Sequence, residues 1–158
     1  MLWVCRAGKN AKYVDYFVKN NRMYLAWDGY RVDLSERETI DEFKQVVISE
    51  KGEANRVSVS NWGSQLLLFC KTMKIHDYVL IPKIGSRSFV YAEIMGNYEY
   101  DGSNKLGLYH SREIRIVCEE IKREEFSQTT QYSLGAFRTV FKAKNEKEIT
   151  EIIERNMK

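Results

Sequence analysis

Helical and extended periodicities are segregated along this chain, and that segregation constrains its fold more than any other feature. Three helix-spaced apolar sets lie in the first half: Val14, Phe17 and Val18; then Ile40, Phe43, Val46 and Val47; then Trp62, Leu66, Phe69, Cys70 and Met73. From Tyr78 onward, short branched and aromatic runs succeed one another: Tyr78–Ile81, stopped by Pro82, then Ser88–Met95, Tyr98–Tyr100, Leu106–His110, Ile114–Cys118 and Phe137–Phe141. Gly85-Ser86 and Asp101-Gly102 supply hairpin turns. Earlier strands are expected at Leu2–Arg6 and Met23–Trp27, with a short one at Arg56–Val59. Helix starts are expected at Ser35 with Glu38, at Ser60 or Asn61, and at Asn145 with Glu148. The last of these opens a helix, Asn145–Lys158, with Ile149, Ile152 and Ile153 on one face. Strands that follow each other without helices between them argue against a doubly wound parallel sheet. An α+β fold is expected, with a strongly curved mixed sheet or small barrel and helices packed outside.

The chain has 158 residues, the length of one domain, and a 44% hydrophobic share that can bury a core. Wholesale disorder and low complexity are excluded. The opening apolar stretch is broken at once by Arg6, Lys9 and Lys12, so no secretory signal is read, and Leu66–Cys70 is far too short to span a membrane. Cys5, Cys70 and Cys118 are odd in number and widely spaced, as free thiols in a reducing cytoplasm would be. His76 and His110 stand 34 positions apart and no Cys-x-x-Cys pair occurs, so neither a metal nor a cofactor is expected.

Catalytic patterns are equally sparse. There is no Gly-x-Ser-x-Gly elbow, and Gly8-Lys9 lacks the upstream glycine of a phosphate loop. Glu42-Phe43-Lys44 and Glu120-Ile121-Lys122 match the Glu-x-Lys of metal-dependent nucleases, but 30% of residues are charged and such triplets arise by chance. A small nuclease built on Glu120 and Lys122 is kept as an alternative, and the chain is read as a non-enzyme.

Aromatic residues make up 13% of the chain, and some of those rings must lie outside the core. Trp27 ends a strand just before an Asp28-Gly29 turn, which places its ring near a loop mouth. Trp62 follows Ser60-Asn61 at a helix start, although its phase also suits the core. Tyr98 and Tyr100 alternate on one side of a short strand. The first 31 residues carry six basic and two acidic side chains, and Phe126–Lys144 carries Arg138, Lys142 and Lys144 with no acid. Rings interleaved with cations suit stacking on an exposed base while the cations hold the backbone.

An ordered series of short motifs resembles one family. Trp3-Val4-Cys5-Arg6-Ala7-Gly8, Ala26-Trp27-Asp28 through Asp33-Leu34-Ser35, and Phe69 through Asp77-Tyr78-Val79-Leu80-Ile81-Pro82 resemble segments of the N-terminal domains of Mrr- and McrBC-type restriction proteins. So do Tyr91-Ala92-Glu93-Ile94-Met95-Gly96-Asn97-Tyr98-Glu99-Tyr100, Arg112–Cys118 and Arg138-Thr139-Val140-Phe141. His76 stands where a Gly is usual, and Cys118 where a Trp is usual. These domains are similar to the EVE and YTH domains of the PUA-like superfamily, which are small curved β-barrels flanked by helices.

The resemblance implies a modified-base reader that flips a base of double-stranded DNA into an aromatic cage. It also implies a restriction nuclease or AAA+ motor acting in cis or in trans. Trp27 is then the first cage residue, followed by Trp62, Tyr98 and Tyr100. Asp33 or Asn61 would read the base edge, and Arg6, Lys9, Arg138 and Lys142 would contact phosphates. Residues 1–144 form the recognition domain and 145–158 a connector toward the effector. An RNA-binding PUA-like domain is the other binding alternative, because the same rings and cations would serve a single strand.

Overall fold

The computed structural model describes residues 1–53 and 55–157. Seven strands form one mixed sheet among the described residues: β1 (Leu2–Cys5), β2 (Arg22–Tyr24), β3 (Tyr78–Lys83), β4 (Ser88–Ile94), β5 (Glu99–Tyr100), β6 (His110–Lys122) and β7 (Val140–Lys142). Their spatial order is β2-β6-β4-β3-β1-β7, with β5 also paired to β6. Only β1 and β3 run parallel, Leu2 opposite Tyr78 and Val4 opposite Leu80. The sheet curls into a half-barrel carrying five α-helices, which is the α+β architecture expected from the segregated periodicities.

Alternation along the strands sends side chains to two cores. Trp3, Cys5, Val79, Ile81, Val90 and Ala92 face a cluster completed by α1 (Val14–Asn20), α2 (Ile40–Lys51) and α3 (Arg56–Leu67). Leu2, Val4, Leu80, Phe89 and Tyr91 face the opposite way, under α4 (Gln128–Leu134) and α5 (Glu146–Asn156), whose Ile149, Ile152 and Ile153 are buried there. Because both faces are covered, every residue of β4 is buried.

Several local expectations are corrected. The capping box that starts α2 is Thr39 with Glu42, one turn later than Ser35 and Glu38: Thr39 accepts from the Glu42 N–H and Glu42 accepts from the Thr39 N–H. This backbone contact holds the Glu42 carboxyl below its ordinary range. The expected strand at Arg56–Val59 is the first turn of α3, capped by Asn55, which accepts from the Val57 and Ser58 N–H groups. Its two β-branched valines mimic a strand, but an Asn cap outweighs that weak propensity. Trp62 and Asn61 therefore lie within the helix, and no free N–H groups surround them.

β3 continues through Pro82, which stands opposite Phe89 of β4. β1 reaches only as far as Leu80 on the other side, so Pro82 lies where β3 has become an edge strand. Of the two strands expected at Leu106–His110 and Ile114–Cys118, the second lies within β6, which is bent by register shifts near Tyr91, whereas the first is loop up to His110, where β6 begins. The helix α4 was not anticipated. Asn145 takes a left-handed conformation without capping α5, while Glu148 reaches back to accept from Ser127 and Thr130. Lys158 lies outside the described residues.

The placement of α3 rests on one polar anchor and one close approach. Beyond Leu67 the chain widens into a π-helical turn, Leu68–Thr72, and Arg112 of β6, 1% exposed, donates to the Phe69 and Met73 carbonyls. At Gly63 the backbone of Lys44 approaches so closely that a β-carbon would lie 3.3 Å from its nitrogen, so the absence of a side chain lets α3 lie against α2.

Candidate functional site

The segment after β2 leaves the sheet at Ala26 and turns at Asp28-Gly29-Tyr30. Gly29 and Tyr30 both have positive φ, 80° and 56°. A β-carbon on Gly29 would sit 1.9 Å from the flexible end of Glu50 on α2, and the positive φ favours glycine whether or not that side chain moves. A left-handed tyrosine is disfavoured by roughly 1–2 kcal/mol. Here it is held in place by burial, with 2% of its surface exposed, and by bonds to its carbonyl. The turn sets Trp27 and Tyr30 against each other, ring centres 5.4 Å apart and tilted by 49°. Trp27 Nε1 donates to Thr139 Oγ1 at 2.8 Å, which fixes the indole against the segment entering β7.

Ala26, Trp27, Asp28 and Tyr30 form one side of a cavity of about 250 Å3, with Trp62 of α3 and Lys51 of α2 completing it. That volume lies just below the roughly 300–1,000 Å3 of small-molecule clefts, so it suits one flat ring system. Both tryptophans are half-buried. At the mouth, Asp28 is an exposed acceptor and Lys51 an exposed donor. Burial and the Glu50 carboxylate push the Tyr30 phenol up to about 12, so it stays protonated. Trp27 and Trp62, named separately in the sequence, thus share one cavity.

Tyr98 and Tyr100 lie elsewhere, around His110. His110 Nε2 meets the Tyr30 carbonyl at 2.7 Å; a carbonyl only accepts, so Nε2 carries the proton. The neutral ring then accepts at Nδ1 from the Tyr98 hydroxyl at 2.6 Å, and the same hydroxyl accepts from the Leu34 N–H. Burial holds His110 below its ordinary value and raises Tyr98 above its own. Tyr100 packs 5.6 Å from the His110 ring. This network buttresses Tyr30 from behind, and neither tyrosine lines the tryptophan cavity.

The expected edge-reading residues are also placed apart. Asp33 is exposed and accepts from the Ser35 N–H, which holds its carboxyl below the usual range. It lines a different, polar depression beside Ser35, Glu36, Arg37 and Glu42. Asn61 accepts from the Gln65 side chain. Gln65, 4% exposed, in turn accepts from the Thr139 and Val140 N–H groups at 2.9 and 3.0 Å. Asn61 and Gln65 therefore secure the Thr139 that holds Trp27.

The four expected phosphate contacts divide. Lys9 sits with Lys12 beside a smaller hollow on the other side of Trp27 and Asp28. Arg6 is turned inward: it donates to the Ala136 carbonyl at 2.7 Å, and its buried Nε has no partner among the described residues. Burial, with Arg123 nearby, lowers its pKa. Arg138 and Lys142 are exposed and line a groove of about 740 Å3, together with Lys144 and two rings, Tyr132 and Phe137. Arg138 directly precedes Thr139, so groove and cavity adjoin across a single residue.

At the far end of β6, Lys122 pairs with Glu120 at 3.1 Å on an exposed surface. Among the described residues, no three His, Cys, Asp or Glu side chains cluster as a metal site would require. No described helix is long and apolar enough to cross a membrane.

One family model, for a domain of unknown function, matches residues 3–143. The chain belongs to this family, DUF8426. The DUF8426 span contains every wall of the tryptophan cavity and most of the groove, and α5 lies beyond it. No curated protein matches the chain. Among solved structures, it is similar to a YTH domain of the Zygosaccharomyces rouxii MRB1 protein in complex with N6-methyladenosine RNA, at 14% identity and TM-score 0.38, covering 80% of this chain and 64% of that one. Rpa0253 of Rhodopseudomonas palustris is similar at 12% identity and TM-score 0.46, covering 97% and 90%. Atu2648 of Agrobacterium tumefaciens is similar at 14% and 0.44, covering 98% and 91%.

Proposed function

We propose that this chain is a non-catalytic domain that reads one modified base of a nucleic acid, held out of its stack between Trp27 and Trp62. The observation that carries the reading is that both indoles line one cavity sized for one ring system, with exposed cations alongside. A base can reach such a cavity only when extruded or unpaired. Extrusion costs a few kcal/mol, which stacking and edge contacts must offset. A methylated exocyclic amine suits the cavity: its methyl packs on the rings while the remaining N–H faces an acceptor such as Asp28.

DNA is the first expected carrier, on the resemblance to modification-dependent restriction proteins. A restriction nuclease or motor module, in the same polypeptide or a partner, would supply the reaction. Lys9, Arg138 and Lys142 supply affinity through phosphates. Arg6 does so only indirectly, as a charge beneath the groove.

The test is a binding screen over oligonucleotides carrying methylated adenine, methylated cytosine or larger cytosine adducts, with RNA of matched sequence alongside. One modification should bind at least tenfold more tightly than its unmodified counterpart, and folded Trp27→Ala should lose that preference. A preference intact in folded Trp27→Ala would refute the cage. Metal-dependent cleavage abolished by Glu120→Ala would instead establish the nuclease.

A further inference from the structure

The groove beside the cavity has a chemistry of its own. Phe137 is fully exposed and Tyr132 is 87% exposed, although both are large rings that burial would stabilise. Between and beneath them lie Arg138, Lys142 and Lys144, all exposed, and the half-buried Arg123. None of these four cations is in an ion pair among the described residues, and no described acidic side chain lines the groove. Arg123 donates to the Gln131 carbonyl and Arg6 to that of Ala136, so two guanidiniums hold α4 and the loop that follows it, with no carboxylate pairing either among the described residues. The loop is therefore built on positive charge and displays rings.

We infer that this groove binds unpaired nucleotides, with Tyr132 and Phe137 each stacking on one base and Arg138, Lys142 and Lys144 following the phosphates. Bases within a duplex present their faces to each other, so two exposed rings in a concave groove can stack only on a strand that has been opened. A cationic groove with protruding rings is the general form of single-strand binding. The inference deepens the reading above and rests on it for direction: a base entering the cavity at Trp27 leaves its neighbours at Thr139 and Arg138, where the groove begins. The preferred ligand is then a single strand or a locally opened duplex, not an intact double helix.

The experiment needs no modification. Fluorescence anisotropy is measured with an unmodified labelled single-stranded oligonucleotide and with the same sequence as a blunt duplex. The single strand should bind more tightly, and Tyr132→Ala and Phe137→Ala should each weaken it about tenfold. Phe137→Trp should restore stacking. Removing Arg138, Lys142 or Lys144 should shallow the log–log salt slope by about 0.7 each. All these side chains except that of Phe137→Trp are truncated at exposed positions, so folding, checked by thermal melting, should be preserved. Equal binding of strand and duplex, or unchanged single-strand affinity in the double ring variant, would overturn the inference. So would a polyglutamate-tyrosine peptide bound more tightly than the oligonucleotide and dependent on the same rings, since the groove would then be a protein-docking surface. Trp27→Ala separates the two proposals when read as the ratio of affinities for modified and unmodified strands: it should abolish any preference for a modified base, whereas Tyr132→Ala and Phe137→Ala should weaken both strands alike. If that preference survives, base reading fails and the groove stands.

Discussion

Two aromatic groups lie on either side of Tyr30, and they differ in what their polar atoms do. In front, Trp27 and Trp62 line one open cavity, with Asp28 and Lys51 at the mouth. Behind, Tyr98 and Tyr100 surround His110, whose ring nitrogens are both engaged, and the Tyr98 hydroxyl is shared between His110 and Leu34. The first group has a cavity and unused capacity to bind. The second is closed upon itself, and it holds the left-handed Tyr30 that shapes the first. Aromatic residues alone therefore do not mark a site; open faces do.

The largest effects should come from exchanging damage between the two groups. Trp27→Ala should weaken binding of the preferred modified oligonucleotide by about 1–3 kcal/mol, read as Kd by anisotropy. Tyr98→Phe should instead destabilise the fold by about 1–3 kcal/mol, because the His110 Nδ1 and the Leu34 N–H lose their partner. Urea unfolding would show it, and the Kd of the folded fraction should hold. If Tyr98→Phe instead altered Kd with stability unchanged, the division between the groups would collapse.

A smaller effect is expected at their common support. Thr139→Val removes the acceptor for Trp27 Nε1 and frees the indole to reorient, so affinity for the modified base should fall about fivefold, near 1 kcal/mol. An unchanged Kd would mean that packing against Tyr30 alone positions the ring.

The smallest expected effect is one of pH. His110 is held below its ordinary value of 6.5 by burial. Between that value and the lower folded one, the unfolded chain binds more protons than the folded chain, so stability rises with pH. Stability from this group is complete above about pH 6.5 and declines as the solution is acidified below it. The depressed carboxylates of Glu42, Glu93 and Glu148 act lower, below their ordinary 4.5. A melting temperature that drops between pH 7 and 5.5 in the wild type, and drops less in His110→Gln, would locate the response in the rear group.

Part of this arrangement was legible in the sequence. The apolar spacing of Phe43, Val46 and Val47 marks the buried face of α2, and the branched and aromatic run within Ser88–Met95 marks β4. The Asp28-Gly29 turn after Trp27 points to a loop mouth, and the cavity is there. The start of α3 was misread because Val57 and Val59 resemble a strand and the Asn55 cap lies ahead of them. The roles of Gln65 and Thr139 left no local signal. Each acts on a residue more than 70 positions away in the chain.

The division has a physical basis. Periodicity, turn residues and composition act over a few neighbours, so the sequence alone determined an α+β chain with helices early, strands late, and more rings than a core requires. Which rings would meet depended on strand order and on the depth at which α3 lies against α2. Those are set by β1 pairing in parallel with β3, by Arg112 holding the turn after α3, and by the close approach at Gly63. Only the tertiary structure brought Trp62 to Trp27, took Tyr98 away from them, and left Tyr132 and Phe137 standing open in a groove of positive charge.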